Sequence, residues 1–403
     1  MTRPWIVVVG IGEEGLDGLG ENARRRIAEA EVLVGGRRHL GLVPESRAER
    51  VLWRSPLADT FAEIEARAHR RIVVLASGDP LWYGVGRSLI ARFGREAVEV
   101  VPHVSAFQLA CARLGWPLED TLALSLHGRP LALLLRHLQP GRRLLLLTSD
   151  GAAPSAIGRR LVDAGFAASS CHVLAHLGGR HEQAWSGTAE ELARTPHFAD
   201  LNVVAVHCRA DPDCRSLPRI AGLDDDVFLH DGTVTKAEVR AVAVAALLPM
   251  PGLLLWDIGA GAGSIAIEWL RCEPTARAIA VELRSDRIAS IRANAERLGA
   301  PDLEVVEGRA PEVLSNLADP DRIFLGGGVA EPGLLDYLAA RLRAGGRLVA
   351  HAVTIEGEAA LLAFAEGREV RLRRIAVSRA ETRHGHRLWR ALAPVTQLVW
   401  EKR

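Results

Sequence analysis

The chain has 403 residues, a formal net charge of +1 and 48% apolar residues. That excludes a single small domain, a disordered chain and a strongly basic nucleic-acid binder. Five cysteines scattered without a Cys-x-x-Cys pair argue against a disulfide framework or a zinc site, so no metal is expected.

The N-terminus shows no charged-then-apolar leader, and Trp5-Ile-Val-Val-Val9 reads as a buried first strand. Gly10-Ile-Gly-Glu-Glu-Gly15 follows, and it matches the dinucleotide fingerprint Gly-x-Gly-x-x-Gly. The match is deceptive. Glu13 and Glu14 would occupy the place of a pyrophosphate, and the helical pattern opens only near Glu21. Arg71 to Ala76 is a further strand, leading to Ser77-Gly-Asp-Pro80, where Asp79 is expected to cap a helix that begins at Pro80. Val98 to Val101 is another strand. Ser105 then caps a helix over Ala106 to Leu114 that Gly115 and Pro117 stop. The strand ends at 77–80 and 102–106 should lie side by side at one sheet edge, where α/β proteins bind ligands. Strands follow at 122–126, 143–148, 171–174 and 202–208, with a helix at 189–193. Such alternation predicts a largely parallel sheet, in two halves that break near 115–120 and leave a cleft between them.

Residues 209 to 228 are turn-forming and acidic and read as a linker. It separates a domain at 1–208 from a second at 229–403. Thr235 is a credible cap for an apolar helix from Ala237 to Leu248. The longest apolar stretch, Ala241 to Trp256, is interrupted by Pro249 and Pro251, so no membrane span is expected and the cytoplasm is the default. The strand Leu253 to Trp256 then ends in Asp257-Ile-Gly-Ala-Gly-Ala-Gly263, and a helix opens at Ser264. Strand, glycine turn and helix together bring backbone N–H groups against a nucleotide-like ligand. Ser264 occupies the third glycine place of the dinucleotide pattern, so a dinucleotide fits poorly. The next strand, Ala278 to Val281, ends in Glu282, whose carboxylate could accept from both hydroxyls of a ribose. A helix over 285–298 follows, then strands at 303–306, 322–325 and 347–353, and one or two antiparallel strands within 387–400.

The pattern Asp-x-Gly-x-Gly-x-Gly resembles the first motif of the Rossmann-like (class I) methyltransferases, whose S-adenosylmethionine carries an ammonium and a sulfonium rather than phosphates. The N-terminal part resembles the tetrapyrrole (class III) methyltransferases. The matching residues are Val9-Gly-Ile-Gly12, Ser77-Gly-Asp-Pro80 and His103-Val-Ser-Ala-Phe-Gln-Leu-Ala110, the last where that family commonly has Pro-Gly-Ile-Ser-Ser. Ser125-Leu-His-Gly-Arg129 resembles the CbiE branch in particular. The C-terminal part resembles CbiT through Thr235-Lys-Ala-Glu-Val-Arg240, the Asp257 turn, Glu307-Gly-Arg-Ala-Pro311 and Gly326-Gly-Gly328. Fused in this order, the two resemble the CobL family of decarboxylating corrinoid methyltransferases of cobalamin (vitamin B12) biosynthesis.

That resemblance implies methylation of a precorrin-6 type corrinoid at carbons 5 and 15, with loss of carbon dioxide from the ring C acetate, to give precorrin-8. The N-terminal domain would act at carbon 5, and the C-terminal domain at carbon 15 and in decarboxylation. One S-adenosylmethionine site per domain is implied. In the C-terminal domain it falls on Thr235, Gly259, Ala260, Gly261, Ala262, Gly263, Glu282 and Ala310, and in the N-terminal domain on Gly78, Asp79, Ser105 and Ala106. Self-association is implied as well.

Methyl transfer from a sulfonium is an in-line displacement that asks mainly for orientation, and no Ser-His-Asp or Cys-His constellation is found. Decarboxylation needs an electron sink, which a conjugated macrocycle supplies, and a proton donor. His351, His384 and His386 are the histidines considered for that donor, and no catalytic residue is assigned. Only Lys236 and Lys402 are lysines. Coding bias accounts for that, although Arg also pairs carboxylates in two-point fashion and would suit a polycarboxylate substrate. Two other functions fit the same motifs: a class I methyltransferase acting on RNA or protein with an inactive tetrapyrrole-type domain, and a ligand-sensing protein without turnover.

Overall fold

A computed structural model describes residues 4–403. The chain forms two compact units, one running to Arg129 and taking in Gln139–Arg215, the other made of Pro130–Leu138 and Ser216–Arg403. No helix among the described residues is long and apolar enough to cross a membrane.

The first unit begins with β1 (Ile6–Ile11), α1 (Glu21–Ala28), β2 (Val32–Gly35), α2 (Arg37–Gly41), β3 (Glu49–Leu52) and α3 (Leu57–Glu65). It continues through β4 (Ile72–Ser77), α4 (Gly86–Phe93), β5 (Val98–Val101) and α5 (Ala106–Leu114). The five strands form a parallel sheet in the order β3-β2-β4-β1-β5. β1, β2 and nearly all of β4 are unbroken apolar runs because helices cover both faces of the sheet. Ser105 caps α5 through a reciprocal pair with Gln108, and Gly115 ends it in the left-handed conformation, as its sequence signals predicted.

The helix expected from Pro80 starts instead at Gly86. Asp79 turns its carboxylate onto the Leu81 N–H at 2.8 Å, and the Pro80 carbonyl accepts from Gly86 N–H, so the chain closes a turn before the helix begins.

The second half of this unit comprises β6 (Thr121–Ser125), β7 (Arg143–Leu147), α6 (Ala153–Asp163), β8 (Ser170–Ala175), β9 (Gln183–Thr188), α7 (Ala189–Arg194) and β10 (Asn202–His207). Their order is β6-β7-β10-β8-β9. The expectation of a largely parallel sheet fails here. Only β6 and β7 pair in parallel, while β10 enters antiparallel between β7 and β8. Strand direction depends on which end of the sheet the connection returns from, and no apolar pattern records that.

The second unit contains α8 (Ala237–Leu247), β11 (Leu254–Ile258), α9 (Ser264–Cys272), β12 (Arg277–Glu282), α10 (Ser285–Leu298), β13 (Glu304–Glu307) and β14 (Arg322–Leu325). It ends with α11 (Leu334–Arg341), β15 (Arg347–Ala352), α12 (Ile355–Ala365), β16 (Val370–Ile375), the paired strands β17 (Ser378–Arg383) and β18 (His386–Ala391), and β19 (Val395–Glu401). A seven-stranded sheet, β13-β12-β11-β14-β15-β19-β16, has β19 antiparallel between β15 and β16. One apolar cluster gathers residues of α8, α9 and α10, and a second gathers residues of α11 and α12. β16 was not expected, because its Arg-rich edge sequence leaves most side chains exposed.

Thr235 does not cap α8. Lys236 holds that place without a side-chain bond, and the Thr235 carbonyl accepts from the Arg240 guanidinium instead. Arg240 is wholly buried against Glu268 at 2.6 Å and lies over the Phe228 ring. Glu268 in turn accepts from the N–H groups of Gly222 and Leu223 at 2.7 and 3.0 Å. This network pins the back part of the expected linker onto the C-terminal core, with Leu223 and Phe228 buried. Residues 130–138, placed in the N-terminal domain from sequence, pack on α10, where Arg136 meets Asp302 at 3.3 Å.

Candidate functional site

In the second unit β11 lies between β12 and β14, so the chain leaves the sheet in opposite directions on the two sides of the β11 C-terminus. That crevice is where open α/β sheets bind ligands. A cleft of about 400 Å³ opens there, lined among others by Thr235, Asp257, Gly259, Ala260, Gly261, Ala262, Glu282 and Ala310. The backbone explains the glycines. Gly259 has φ +69°, and a Cβ on it would come within 3.1 Å of the Gly327 backbone. Gly261 has φ +59°, and its Cβ would meet no protein atom within 4 Å, so a ligand can occupy that space. Gly263 is not among the lining residues. Its φ is +73°, and a Cβ there would strike Ile291 at 2.9 Å, so this glycine serves helix packing.

Glu282 sits at the lip, accepting from Gly261 N–H at 2.8 Å on one oxygen and from Leu283 and Arg284 N–H at 2.9 and 3.1 Å on the other. A carboxylate offers about four acceptor positions, so acceptor capacity remains beyond these three backbone bonds. Ala310 and exposed Leu283 add apolar surface to the same cleft. Asp257, by contrast, is 1% exposed and accepts from Ala266 N–H at 3.1 Å, tying the first turn of α9 to β11. Burial pushes its carboxyl up to about 7, and the nearby Glu282 carboxylate adds to the rise. The glycine cradle and the lip carboxylate fit S-adenosylmethionine on geometry and chemistry.

The three histidines considered as proton donors lie elsewhere. His351 is buried on β15, 2.9 Å from the Gln397 amide and edge-on to Phe324, and burial pushes it down to about 4. It is a neutral core residue. His384 and His386 belong to the exposed β17–β18 hairpin and do not line the cleft. Arg309 and Glu331 do line it, 3.6 Å apart, and sequence reading passed over both as functional groups.

In the first unit, β4 and β5 are not neighbours, because β1 lies between them. Their trailing loops meet over the end of β1, where a Cβ on Gly78 would lie 2.8 Å from Ser105 Cα. Beside this crossing a cleft of about 500 Å³ reaches both sheets of the unit. Gly78, Ser105 and Ala106 line it, whereas Asp79 does not, its carboxylate being held in the turn with Leu81. The walls include Trp53, Trp82, Tyr83 and Phe107, with His127 and Arg129 from the quoted Ser125–Arg129 motif.

Among the polar residues of this cleft that went unassigned in the sequence are Glu13, Arg38, His39 and Ser77. Arg38 pairs with Glu13 and donates to Ser77 Oγ at 2.7 Å. His39 Nε2 is 2.8 Å from the same hydroxyl. A usable signal was present, because Arg38 and His39 lie just beyond Gly35-Gly36, at a strand's C-terminal end.

The comparisons agree with this architecture. A model of the tetrapyrrole (corrin/porphyrin) methylases matches residues 5–193, and one of a precorrin methyltransferase domain matches 226–402. The chain is 46% identical to the precorrin-6Y C(5,15)-methyltransferase (decarboxylating) of Sinorhizobium sp, across 100% of this chain and 97% of that protein. It is 38% identical to the cobalt-precorrin-7 C(5)-methyltransferase of Salmonella typhimurium, over 40% of this chain and 79% of that one. It is also 36% identical to the probable cobalt-precorrin-6B C(15)-methyltransferase (decarboxylating) of Pyrobaculum calidifontis, over 43% and 92% respectively. With near-half identity over its full length and both domain types present in this order, the chain belongs to the family of decarboxylating precorrin-6Y C(5,15)-methyltransferases.

Proposed function

We propose that the chain works as a two-site enzyme of cobalamin biosynthesis. The N-terminal cleft methylates a precorrin-6 type corrinoid at carbon 5. The C-terminal cleft methylates carbon 15 and releases carbon dioxide from the ring C acetate. The observation that carries this reading is the pair of clefts, of about 500 and 400 Å³, each at strand C-termini and each entered past a glycine with positive φ.

Bound in each cleft, S-adenosylmethionine supplies a methyl on a sulfonium. In the C-terminal cleft Glu282 orients the ribose while the turn from Gly259 to Ala262 excludes water from one side. Holding donor and ring carbon in line contributes several kcal/mol, up to roughly 7–11 in the best models. Arg309 and Glu331 are the charged pair that an incoming acetate meets at this mouth. Arg309 holds the carboxylate until its carbon–carbon bond breaks. The electrons pass into the macrocycle and a proton completes the methyl group left on ring C.

Self-association belongs to the same reading, supported by Leu388 and Trp389, each exposed on β18. So does a cytoplasmic place of work, supported by five cysteines held as thiols.

The test uses the full chain with Gly261→Leu, which fills the C-terminal cradle, and with Ala106→Trp, which fills the N-terminal one. The first should abolish carbon dioxide release. The second should leave a product with one added methyl and one carboxyl lost, read by mass spectrometry. Carbon dioxide release that survives Gly261→Leu and disappears in Ala106→Trp would reverse the assignment.

A further inference from the structure

We propose that His39, acting through the Ser77 hydroxyl, is the proton acceptor for methyl transfer in the N-terminal cleft. The inference rests on the assignment of carbon 5 to that cleft and deepens it. Carbon 5 of such a macrocycle is a bridging methine bearing one hydrogen. Replacing that hydrogen by methyl forms one carbon–carbon bond, breaks the sulfonium carbon–sulfur bond with its electron pair left on sulfur, and must then shed one proton. As the C–H bond breaks, its electrons return to the conjugated ring. The proton passes to Ser77 Oγ as that hydroxyl gives its own to His39 Nε2. The balance is a neutral methylated ring, a neutral serine and an imidazolium that later returns its proton to water.

Geometry decides the tautomer. Arg38 Nη2 lies 2.9 Å from His39 Nε2 and 2.7 Å from Ser77 Oγ, and a guanidinium has donors only. Nε2 must therefore be bare and the ring proton must be on Nδ1. The hydroxyl accepts from Arg38 and donates to Nε2 across 2.8 Å. Ser77 ends β4 and His39 lies on α2, so the pair is built by the fold and not by adjacency in sequence. Nδ1 is buried without a protein partner, an unsatisfied group of the kind that native folds tolerate at working sites.

Two charges face the ring: Arg38 from its own helix and Glu13 from the loop after β1. Burial and Arg38 outweigh Glu13 and push the imidazole down to about 4, so it is unprotonated and ready throughout the neutral range. A base this weak suffices because the proton leaves a cationic, methylated ring carbon and is strongly acidic. His127, which also lines this cleft, meets the Thr148 carbonyl at 3.3 Å rather than a hydroxyl.

The test assays the full chain for methylation at carbons 5 and 15 separately, with wild type, His39→Ala, Ser77→Ala and His127→Ala. His39→Ala should slow carbon 5 transfer about 100-fold or more, with added imidazole restoring part of the rate. Ser77→Ala should slow it by about tenfold, its KM for S-adenosylmethionine should stay within a factor of two, and carbon 15 transfer should be untouched. The inference is overturned by a His39→Ala enzyme within threefold of wild type. It is equally overturned by a loss that imidazole does not relieve and that follows lost cofactor binding, or by a loss confined to His127→Ala. Wild-type enzyme whose carbon 5 transfer instead depends on the C-terminal cradle overturns the division of labour itself, a result distinct from the others.

Discussion

Replacing Asp257 by Asn tests whether this site stores free energy as a buried carboxyl. The group is held at about 7 in the folded protein against an ordinary 3.8. At 1.36 kcal/mol per tenfold change that gap is worth ~4 kcal/mol. Below pH about 4 the acid is protonated in both states and costs nothing. Between about 4 and 7 the unfolded chain ionises while the folded one does not, so folded stability falls by ~1.4 kcal/mol per pH step, and the full cost stands above 7. His351 acts oppositely in the same unit. Its folded value of about 4 against 6.5 gives stability that is complete above 6.5 and drains away as the pH falls toward 4. The two slopes oppose each other over most of one window, so wild type alone is a poor gauge. The difference between Asp257→Asn and wild type isolates the aspartate. It should grow from near zero at pH 4 to as much as ~4 kcal/mol in favour of the variant above pH 7, while affinity for the cationic cofactor weakens. Hydrogen exchange of the peptides spanning β11 and α9, corrected for intrinsic rates, reads this difference locally. A difference that is constant with pH, or that grows toward acid, would refute the reasoning.

Gly263→Ala should cost about 1–3 kcal/mol in the C-terminal unit, because the new Cβ is strained at φ +73° and strikes Ile291. Gly261→Ala, with open space around its Cβ, should cost less stability and more cofactor affinity; calorimetry and thermal melting separate the two. Arg240→Ala leaves Glu268 buried and unpaired, and should destabilise by about 3–5 kcal/mol. The double change Arg240→Met with Glu268→Gln should recover a large part of that loss in urea titrations. Glu282→Gln removes one of the oxygens that accept from Gly261, Leu283 and Arg284. Titration calorimetry should show at least about tenfold weaker cofactor binding at the C-terminal cleft with melting little changed.

What could be read from the sequence was local. The apolar run into Asp257, the alternate glycines and the acid at Glu282 belong to one strand–turn–helix–strand unit, and Asp257, Gly259, Gly261 and Glu282 came together at the cleft. Ser105 and its helix were equally legible, since a capping pair and a terminal glycine lie within one short segment. Asp79 misled because an Asp-Pro step signals a helix start and a turn alike, and only the surrounding chain chooses between them. The protonation of Asp257 was invisible because burial, not residue type, sets it. The same holds for the meeting of Arg38, His39 and Ser77, for the antiparallel entry of β10, and for residues 130–138 lying on α10. The sequence by itself determined the family and the glycine turn, because short-range backbone requirements leave a mark in residue order. Which groups are charged, and which distant side chains touch, only the tertiary structure decided, because sheet pairing and desolvation join residues whose separation along the chain carries no record of the contact.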